Sequence, residues 1–331
     1  ETTRLFVTPG SNTPRIVCDD TIRFNSPDGP DADTLPDPLT VNSRSQCHNE
    51  IEEKSEKPTW LIDIDYKPSD DVLLYAKYAR GYRQGGVSMT NIGIESWGPE
   101  KVDSYEIGAK TSFRGQVSGY FNIAGFYNDF QDQQVFGGLV PKPGGPIGGA
   151  VIVNAGKSRI QGIEVDGSAT VLGSLRFDLG YTYLDAKIKD LAVTALSAES
   201  PFAFIQPSSK AGGPLTLSPK HRVSLGANYT LPLPETVGAI SLGAVYVHTA
   251  KQVANETSPL GVLPATDIVN LNVQWDEVFG APIDLAFFMT NVTNEIYPVN
   301  VGGSYASAGF DGYIMAPPRM WGFRLRYNFG Q

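Results

Sequence analysis

Hydrophobic and polar residues alternate without interruption near the end of the chain, in residues 317–329, PPRMWGFRLRYNF. Alternation with a period of two predicts a β-strand with one apolar face and one polar face. The polar face of this strand carries charge at Arg324 and Arg326. The apolar face is predicted to hold five aromatic and aliphatic side chains: Trp321, Phe323, Leu325, Tyr327 and Phe329.

Short periodic segments of the same kind follow one another along most of the chain and predict eleven strands. A further segment, 2–8, is predicted to enter from upstream as a twelfth strand. No segment of useful length shows the period of a helix. The eleven predicted spans are 57–66, 72–84, 99–113, 116–134, 151–171, 175–190, 219–230, 239–253, 266–275, 282–292 and 317–329.

The connections between these strands alternate between short and long. The short ones are 68–71, 114–115, 172–174, 231–238 and 276–281. The long ones are 9–56, 85–98, 135–150, 191–218, 251–265 and 294–316. Outer-membrane barrels have short periplasmic turns and longer extracellular loops, whereas a soluble sandwich has no reason to sort its loops in this way. The chain is therefore predicted to be an all-β, antiparallel transmembrane β-barrel with an up-and-down meander, and residues 9–56 to be a long extracellular loop.

Barrel size decides which way the apolar face points. Eight strands already enclose about as much space as side chains can fill, so a larger closed sheet with an apolar interior would leave a void. The apolar face is thus predicted to contact lipid, and four arginines to line a watery lumen: Arg176, Arg222, Arg324 and Arg326.

Composition agrees with one repetitive all-β unit rather than two domains. The 331 residues include 35 glycines, 24 prolines, 15 tyrosines and 16 phenylalanines. Only 18% of the residues are charged and the net charge is −9, which argues against nucleic acid as a partner. No apolar run approaches the roughly 18 residues of a membrane-spanning helix. Because the sequence starts at Glu1 without a signal peptide, an upstream segment is expected to be missing.

Six segments form an ordered series along the chain. They are LLYAKYARGYRQGG at 73–86, PEKVDSYEIGAKTSF at 99–113, FNIAGFYNDFQDQQV at 121–135, NAGKSRIQGIEVDGSATV at 154–171, NVTNEIY at 291–297 and the terminal PPRMWGFRLRYNF. Together they resemble the C-terminal half of a TonB-dependent outer-membrane receptor. The resemblance covers nearly everything from residue 57 onward, and the series as a whole is more specific than any one segment.

The resemblance implies a plugged barrel in the Gram-negative outer membrane that imports a scarce, large nutrient, most often a ferric siderophore, with energy delivered by TonB. Such barrels have 22 strands, so residues 1–331 would form a partial barrel, without the plug, the TonB-contacting region and the first strands. The terminal strand, with Gly322 before Tyr327 and Phe329, resembles the signal read by the barrel-insertion machinery. Two alternatives stay open: a passive porin-like channel and a structural or adhesive outer-membrane barrel.

The candidate ligand residues are arginines and aromatic residues at the predicted outer rim and in the extracellular loops. Guanidinium groups suit the oxygens of an anionic chelate, and aromatic rings provide flat contact area. Packing among the loops is the alternative role of the aromatic residues, and Arg83 has the alternative of pairing with Glu95 or Glu100. The predicted ligand residues are Arg80, Tyr82, Arg83, Trp97, Tyr297, Tyr305, Phe310 and Tyr313.

Both cysteines, Cys18 and Cys47, lie in the predicted long loop, where an oxidising compartment favours a disulfide over two unpaired thiols. Ten acidic and four basic residues in 9–56 make this loop acidic. Four closely spaced aspartates there offer oxygens to a cation such as Ca²⁺, with a solvated acidic loop as the alternative: Asp28, Asp31, Asp33 and Asp37.

Catalytic chemistry finds little support in the sequence. The three histidines, His48, His221 and His248, stand in unrelated segments. No serine lies in a GxSxG turn and no phosphate-binding glycine loop occurs. The chain is accordingly predicted not to be an enzyme and to need no cofactor.

Overall fold

The computed structural model describes most of the chain from residue 52 onward. The described residues are 52–88, 94, 96–143, 149–154, 156–192, 195–196, 202–207, 209–256, 258–302, 305 and 309–329, together with the backbone of 3–6, 15–18 and 40–41. Their dominant element is a single antiparallel sheet of eleven strands.

Each strand of this sheet pairs with the strands that precede and follow it within the sheet, so that the fold is an up-and-down meander. The strands are β1 (Trp60–Ser69), β2 (Val72–Arg83), β3 (Glu100–Phe113), β4 (Val117–Gln131), β5 (Gly156–Val171), β6 (Leu175–Leu191), β7 (His221–Thr230), β8 (Ala239–Thr249), β9 (Thr266–Asp276), β10 (Ile283–Thr290) and β11 (Met320–Tyr327). Within the described residues the sheet is open, with β1 and β11 at its edges.

The predicted all-β meander and its eleven strands are confirmed, with three differences. Predicted strand 116–134 is interrupted after Gln131, since Asp132 adopts a left-handed backbone with φ 53°. Predicted strand 151–171 consists of two strands that pair with different partners, Ala150–Asn154 and β5. The first part of predicted loop 135–150 is extended, because Gln134–Pro141 forms a strand.

The prediction of a twelfth barrel strand at 2–8 is wrong. Thr3–Phe6 is a strand, but it pairs with Arg15–Cys18, which pairs in turn with Thr40–Val41 in a separate three-stranded sheet. A partner close in sequence costs less loop-closure entropy than the edge of the large sheet.

The register places the predicted apolar residues on one face of the sheet from strand to strand. Leu179 pairs with Leu225, Leu225 with Tyr246, and Tyr246 with Val269. Residues directly opposite each other in an antiparallel ladder point to the same face, so these four side chains share the apolar face. Their sequence neighbours, such as Asp178 and Asn270, belong to the polar face.

The apolar stretch on β4 has the length of a membrane crossing. It runs over the eleven residues from Val117 to Tyr127, which matches the roughly 9–11 residues of a transmembrane β-strand. On β7 the apolar stretch is shorter, the seven residues from Val223 to Tyr229. Long connections follow at one end of the sheet, the long-loop end, and short ones at the other, the short-turn end. Two short 3₁₀ segments lie in short turns, Glu235–Val237 and Val278–Gly280. Across the described residues, no helix is long and apolar enough to span a membrane.

Additional short strands lie at the long-loop end of the sheet. The strand Gln134–Pro141 pairs on one side with Ala150–Asn154 and on the other with Phe202–Pro207. These three strands, the long-loop sheet, hold a cluster of buried apolar side chains: Leu139, Val151, Val153, Phe202 and Ile205. Three hairpins complete this end: Gly86–Val87 with Ser96–Trp97, Gln252–Val253 with Val262–Leu263, and Pro298–Val301 with Tyr313–Met315.

Candidate functional site

A cavity of about 420 Å³ opens on the polar face at the long-loop end. Its polar lining comes from three strands and two long connections: Arg222, Thr249, Gln252, Thr266 and Tyr297. Apolar side chains complete the walls: Val247, Leu263 and Ile268. Ligand sites combine a mostly apolar lining with a few convergent polar groups in this way, and their volumes are commonly about 300–1,000 Å³.

Three of the polar residues form one row across neighbouring strands. Arg222 pairs with Thr249, and Thr249 pairs with Thr266. Each lies at the end of its strand, where β7 starts, β8 ends and β9 starts. The following hairpin pairs Gln252 with Leu263 and brings both into the cavity wall. The row therefore places a guanidinium and two hydroxyls at the long-loop end of the polar face.

Tyr297 is placed by the segment NVTNEIY. Asn291 has a left-handed backbone with φ 49°, a conformation that asparagine tolerates better than most residues. Its side chain donates to the Glu295 carbonyl oxygen and accepts from the Glu295 backbone N–H, each at 2.8 Å. The Tyr297 carbonyl oxygen accepts from the Ala316 N–H at 3.0 Å. These bonds shape the turn that leads from β10 to the cavity wall.

Arg222 differs from the other strand arginines on β2, β5 and β6 in having no acidic partner among the described residues. Arg80 forms a bidentate pair with Asp103, with Nε–Oδ1 2.6 Å and Nη2–Oδ2 2.8 Å. Arg159 Nη2 lies 2.6 Å from Asp185 Oδ2. Because its donors are not occupied by a carboxylate, the guanidinium of Arg222 is available to an anionic ligand.

The predicted ligand residues on β2 do not share a face. Tyr82 pairs with Lys101, in the register of the apolar face, whereas Arg83 pairs with Glu100 on the polar face. Arg83 Nε is 3.1 Å from Glu100 Oε1, the alternative pairing that the sequence suggested. Arg80 also lies on the apolar face, where its guanidinium stacks at 4.6 Å from the ring centre of Trp60.

The predicted aromatic residues of the long connections are dispersed. Trp97 packs on Gly86 of its own hairpin so closely that an added Cβ there would lie 2.5 Å from the indole. Tyr305, Phe310 and Tyr313 are exposed, and the Tyr305 N–H donates to Asp311 Oδ1 at 3.1 Å. Of the predicted ligand residues, Tyr297 is the one that lines the cavity.

Sequence reasoning placed Arg222 in the lumen but did not include it among the ligand residues. A usable signal was present, because Arg222 lies at the long-loop end of its strand and on the polar face. Arg324 and Arg326, by contrast, lie on a strand whose last residues run to the short-turn end. Thr249 and Gln252 carried no such signal, since only the register and the hairpin bring them beside Arg222.

Two further predictions fall outside the residues that the structure describes. Cys47 and the side chain of Cys18 are among them, so their disulfide stays a prediction, as does cation binding by the aspartates of residues 28–37. In the described part of the chain, no group of three or more histidine, cysteine, aspartate or glutamate side chains is arranged to hold a metal ion.

The chain matches a known protein family. The family model described as TonB dependent receptor-like, beta-barrel matches residues 26–292. A relative from Acinetobacter baumannii, described as "Probable TonB-dependent siderophore receptor PiuA", is 24% identical over 198 residues, which cover 57% of this chain and 24% of the relative. The chain thus spans about a quarter of the length of this curated relative.

Solved structures share the fold. The ferric yersiniabactin uptake receptor FyuA from Yersinia pestis superimposes with a TM-score of 0.63 at 15% identity, covering 82% of this chain and 37% of that one. The siderophore receptor PiuA from Acinetobacter baumannii superimposes with a TM-score of 0.60 at 19% identity, covering 81% of this chain and 35% of that one.

Proposed function

The chain belongs to the TonB-dependent receptor-like β-barrel family, and from this premise we propose that it is part of an outer-membrane receptor that takes up a ferric siderophore-type chelate. In this proposal TonB supplies the energy, and contacts a part of the receptor outside residues 1–331. These residues form the C-terminal part of the barrel wall, and the plug and first strands belong to the remainder. The apolar face contacts membrane lipid, the polar face lines the lumen, and the long-loop end faces the outside of the cell.

The cavity with the unpaired Arg222 carries the proposal of an anionic ligand. A guanidinium forms charge-assisted hydrogen bonds with carboxylate, catecholate or hydroxamate oxygens. Thr249 and Thr266 add hydroxyl donors in the same row, and Tyr297 adds an aromatic surface. The apolar walls lower the local dielectric, which strengthens the attraction between the guanidinium and a charged chelate.

The names of the relatives support iron chelates as the class of cargo. One is described as a siderophore receptor and another as a ferric yersiniabactin uptake receptor. A passive channel would gain nothing from a tight anion site at its mouth, because tight binding slows release.

The test is equilibrium binding of ferric chelates to the intact receptor and to its Arg222→Gln variant. Ferric citrate, a ferric catecholate and a ferric hydroxamate serve as probes. A hydrogen bond to a charged group contributes about 1.5–3 kcal/mol, so the variant should bind the transported chelate roughly 10- to 100-fold more weakly. Arg326→Gln, which removes the same charge from the far end of the polar face, is the matched control and should change the affinity less than about twofold.

Uptake in cells separates the receptor from the passive alternative. Uptake of the bound chelate should stop when TonB is deleted. Uptake that continues without TonB would contradict energised transport, and chelate affinity unchanged by Arg222→Gln would contradict the assigned site.

A further inference from the structure

Basic side chains gather on the apolar face at its long-loop end, and the uptake of a chelate through the lumen does not use them. One row of paired residues, three of them basic and two acidic, crosses five strands there: Arg80, Asp103, Asp129, Arg159 and Lys187. The next row toward the membrane holds Tyr78, Tyr105 and Tyr127. Lys101 and Lys189 lie beside the first row, and with Arg80, Arg159 and Lys187 they form the basic rim.

The basic rim carries more positive charge than its neighbouring carboxylates balance. Arg80 is matched by Asp103, Arg159 by Asp185, and Lys189 by Asp129, with Nζ–Oδ1 2.9 Å in the last pair. Lys187 lies 3.8 Å from Asp185, which Arg159 already occupies, and its side chain is 56% exposed. Lys101 forms no salt bridge among the described residues, and its acidic neighbour Asp103 is already paired with Arg80. This surplus stands out in a chain whose net charge is −9.

An apolar groove of about 510 Å³ lies directly beneath the rim. Its side walls are Tyr105, Ile107, Tyr127, Ile163 and Tyr183. Ile107 and Ile163 both pair with Gly125, so the groove exists because this position has no side chain. An added Cβ on Gly125 would have its nearest neighbour, the Gly162 carbonyl oxygen, at 4.0 Å.

We propose that the basic rim and the groove form a docking site for a phosphorylated glycolipid of the outer leaflet, with phosphates on the rim and an acyl chain in the groove. The site rests on the proposed outer-membrane function and lies on the opposite face of the sheet from the chelate cavity. Lysine and arginine close to a membrane surface attract anionic lipid headgroups. Tyrosines at the interface present an apolar ring to the acyl chain and a hydroxyl to the headgroup.

The width of the basic rim favours a headgroup that carries two separated phosphates. Strands in a sheet lie about 4.8 Å apart, so a rim that extends over five strands is roughly 19 Å wide. A phosphodiester with one phosphate would engage only a part of this width, whereas a disaccharide with a phosphate on each sugar reaches several strands.

The test is lipid binding by the intact receptor in detergent micelles, measured by native mass spectrometry with diphosphoryl lipid A and with phosphatidylglycerol as probes. We expect lipid A to bind at least about tenfold more tightly. Each basic side chain contributes roughly fivefold to the affinity, so the double variant Lys101→Gln, Lys187→Gln should lose about 30-fold. The control Arg324→Gln, Arg326→Gln removes two charges from the polar face and should leave the affinity within twofold.

A second variant tests the groove. Gly125→Phe fills it with a side chain that suits a lipid-facing surface, and should weaken lipid A binding about tenfold while the heat-modifiable barrel forms as before. Equal binding of the two lipids, equal losses in the rim and control variants, or unchanged binding by Gly125→Phe would each overturn the assignment. Chelate binding measured on the same preparations keeps the two proposals apart, because loss of chelate binding with intact lipid selectivity would refute the proposed function alone.

Discussion

The same kinds of apolar side chain are exposed on the eleven-stranded sheet β1–β11, the wall of the proposed barrel, and buried in the long-loop sheet. On the wall, Ile107 and Leu325 are 67% and 68% exposed and Phe323 is 74% exposed. In the long-loop sheet, Leu139 and Val151 are each 1% exposed. Neither region breaks a rule of packing. Under the proposed function, the wall has hydrocarbon as its solvent, whereas the long-loop sheet must exclude water with a core of its own.

The two regions also satisfy their backbone and polar groups differently. The wall is joined by ladders of consecutive strands. The long-loop sheet combines strands from two different long connections, and the side-chain amide of Asn154 links it to residues that flank β3 and β4. Asn154 accepts from the Gly98 N–H at 2.6 Å and donates to the carbonyl oxygens of Gly98 and Asp132 at 2.9 and 2.8 Å.

The largest expected effect is on the core of the long-loop sheet. Leu139→Ala should destabilise this sheet by about 2–5 kcal/mol, since it removes buried methyl groups and leaves a cavity. Limited proteolysis of residues 134–154 measures the loss, and heat-modifiability on gels reports the wall. Phe204→Ala, an exposed position in the same sheet, is the control and should have a small effect. If Leu139→Ala unfolded the wall as well, the two regions would be one cooperative unit.

The next effect tests which solvent the wall faces. Leu225→Arg should lower the free energy of unfolding in lipid vesicles by about 2–4 kcal/mol, because it places a charge near the middle of the apolar face. Ser224→Arg, one residue away and on the polar face, should be tolerated. Chemical denaturation of both variants gives the comparison. Equal losses would mean that the apolar face does not contact lipid.

The wall was largely predictable from the sequence, because a period of two and the lengths of the connections are local signals that can be recognised without tertiary information. The long-loop sheet was not predictable in this way. Gln134–Pro141 pairs with Phe202–Pro207, which lies far along the chain, and no periodicity indicates such a partner. The 151–171 segment was predicted as one strand, since both parts are extended and only their different partners separate them.

The candidate site is likewise predictable from the sequence only in part. Arg222 and its polar face followed from alternation. Its neighbours Thr249, Thr266 and Tyr297 depend on register and on the turn at Asn291, which the sequence does not reveal. Tyr82 and Arg83 are predicted together because both lie at the outer end of their strand, but adjacent residues in a strand point to opposite faces.

A smaller effect concerns the connection between the two regions. Asn154→Ala removes three hydrogen bonds, each of which contributes about 0.5–1.5 kcal/mol. The long-loop sheet should then stay folded, while the chain near Gly98 should become more susceptible to proteolysis. Hydrogen exchange of the Gly98 amide is the direct measurement, and Asn122→Ala, which removes one bond to Asp166 in the wall, is the control. Unchanged exchange at Gly98 would show that Asn154 does not hold the connection.

The smallest effect on stability is expected at the end of the terminal strand, where assembly rather than folding energy is at stake. Phe329 is 88% exposed and contacts Tyr327 edge to face, with ring centres 4.7 Å apart. Such a pair contributes about 0.5–1.5 kcal/mol, so the Phe329→Ala variant of the intact receptor should unfold in vesicles much as the unmodified protein does. In cells, the amount of heat-modifiable barrel in the outer membrane should nevertheless fall while synthesis continues, because the insertion machinery is proposed to read this end.

Phe323→Ala separates recognition from packing, since it removes the same kind of side chain from within β11, where Phe323 pairs with Phe287, but leaves the terminal residues intact. It should lower stability at least as much as Phe329→Ala and yet assemble better in cells. If both variants reached the outer membrane in equal amounts, the aromatic end would serve only as interfacial packing. The wall would then insert into the membrane without a signal in its terminal residues. Only the surrounding medium, lipid or water, would then distinguish the wall from the long-loop sheet.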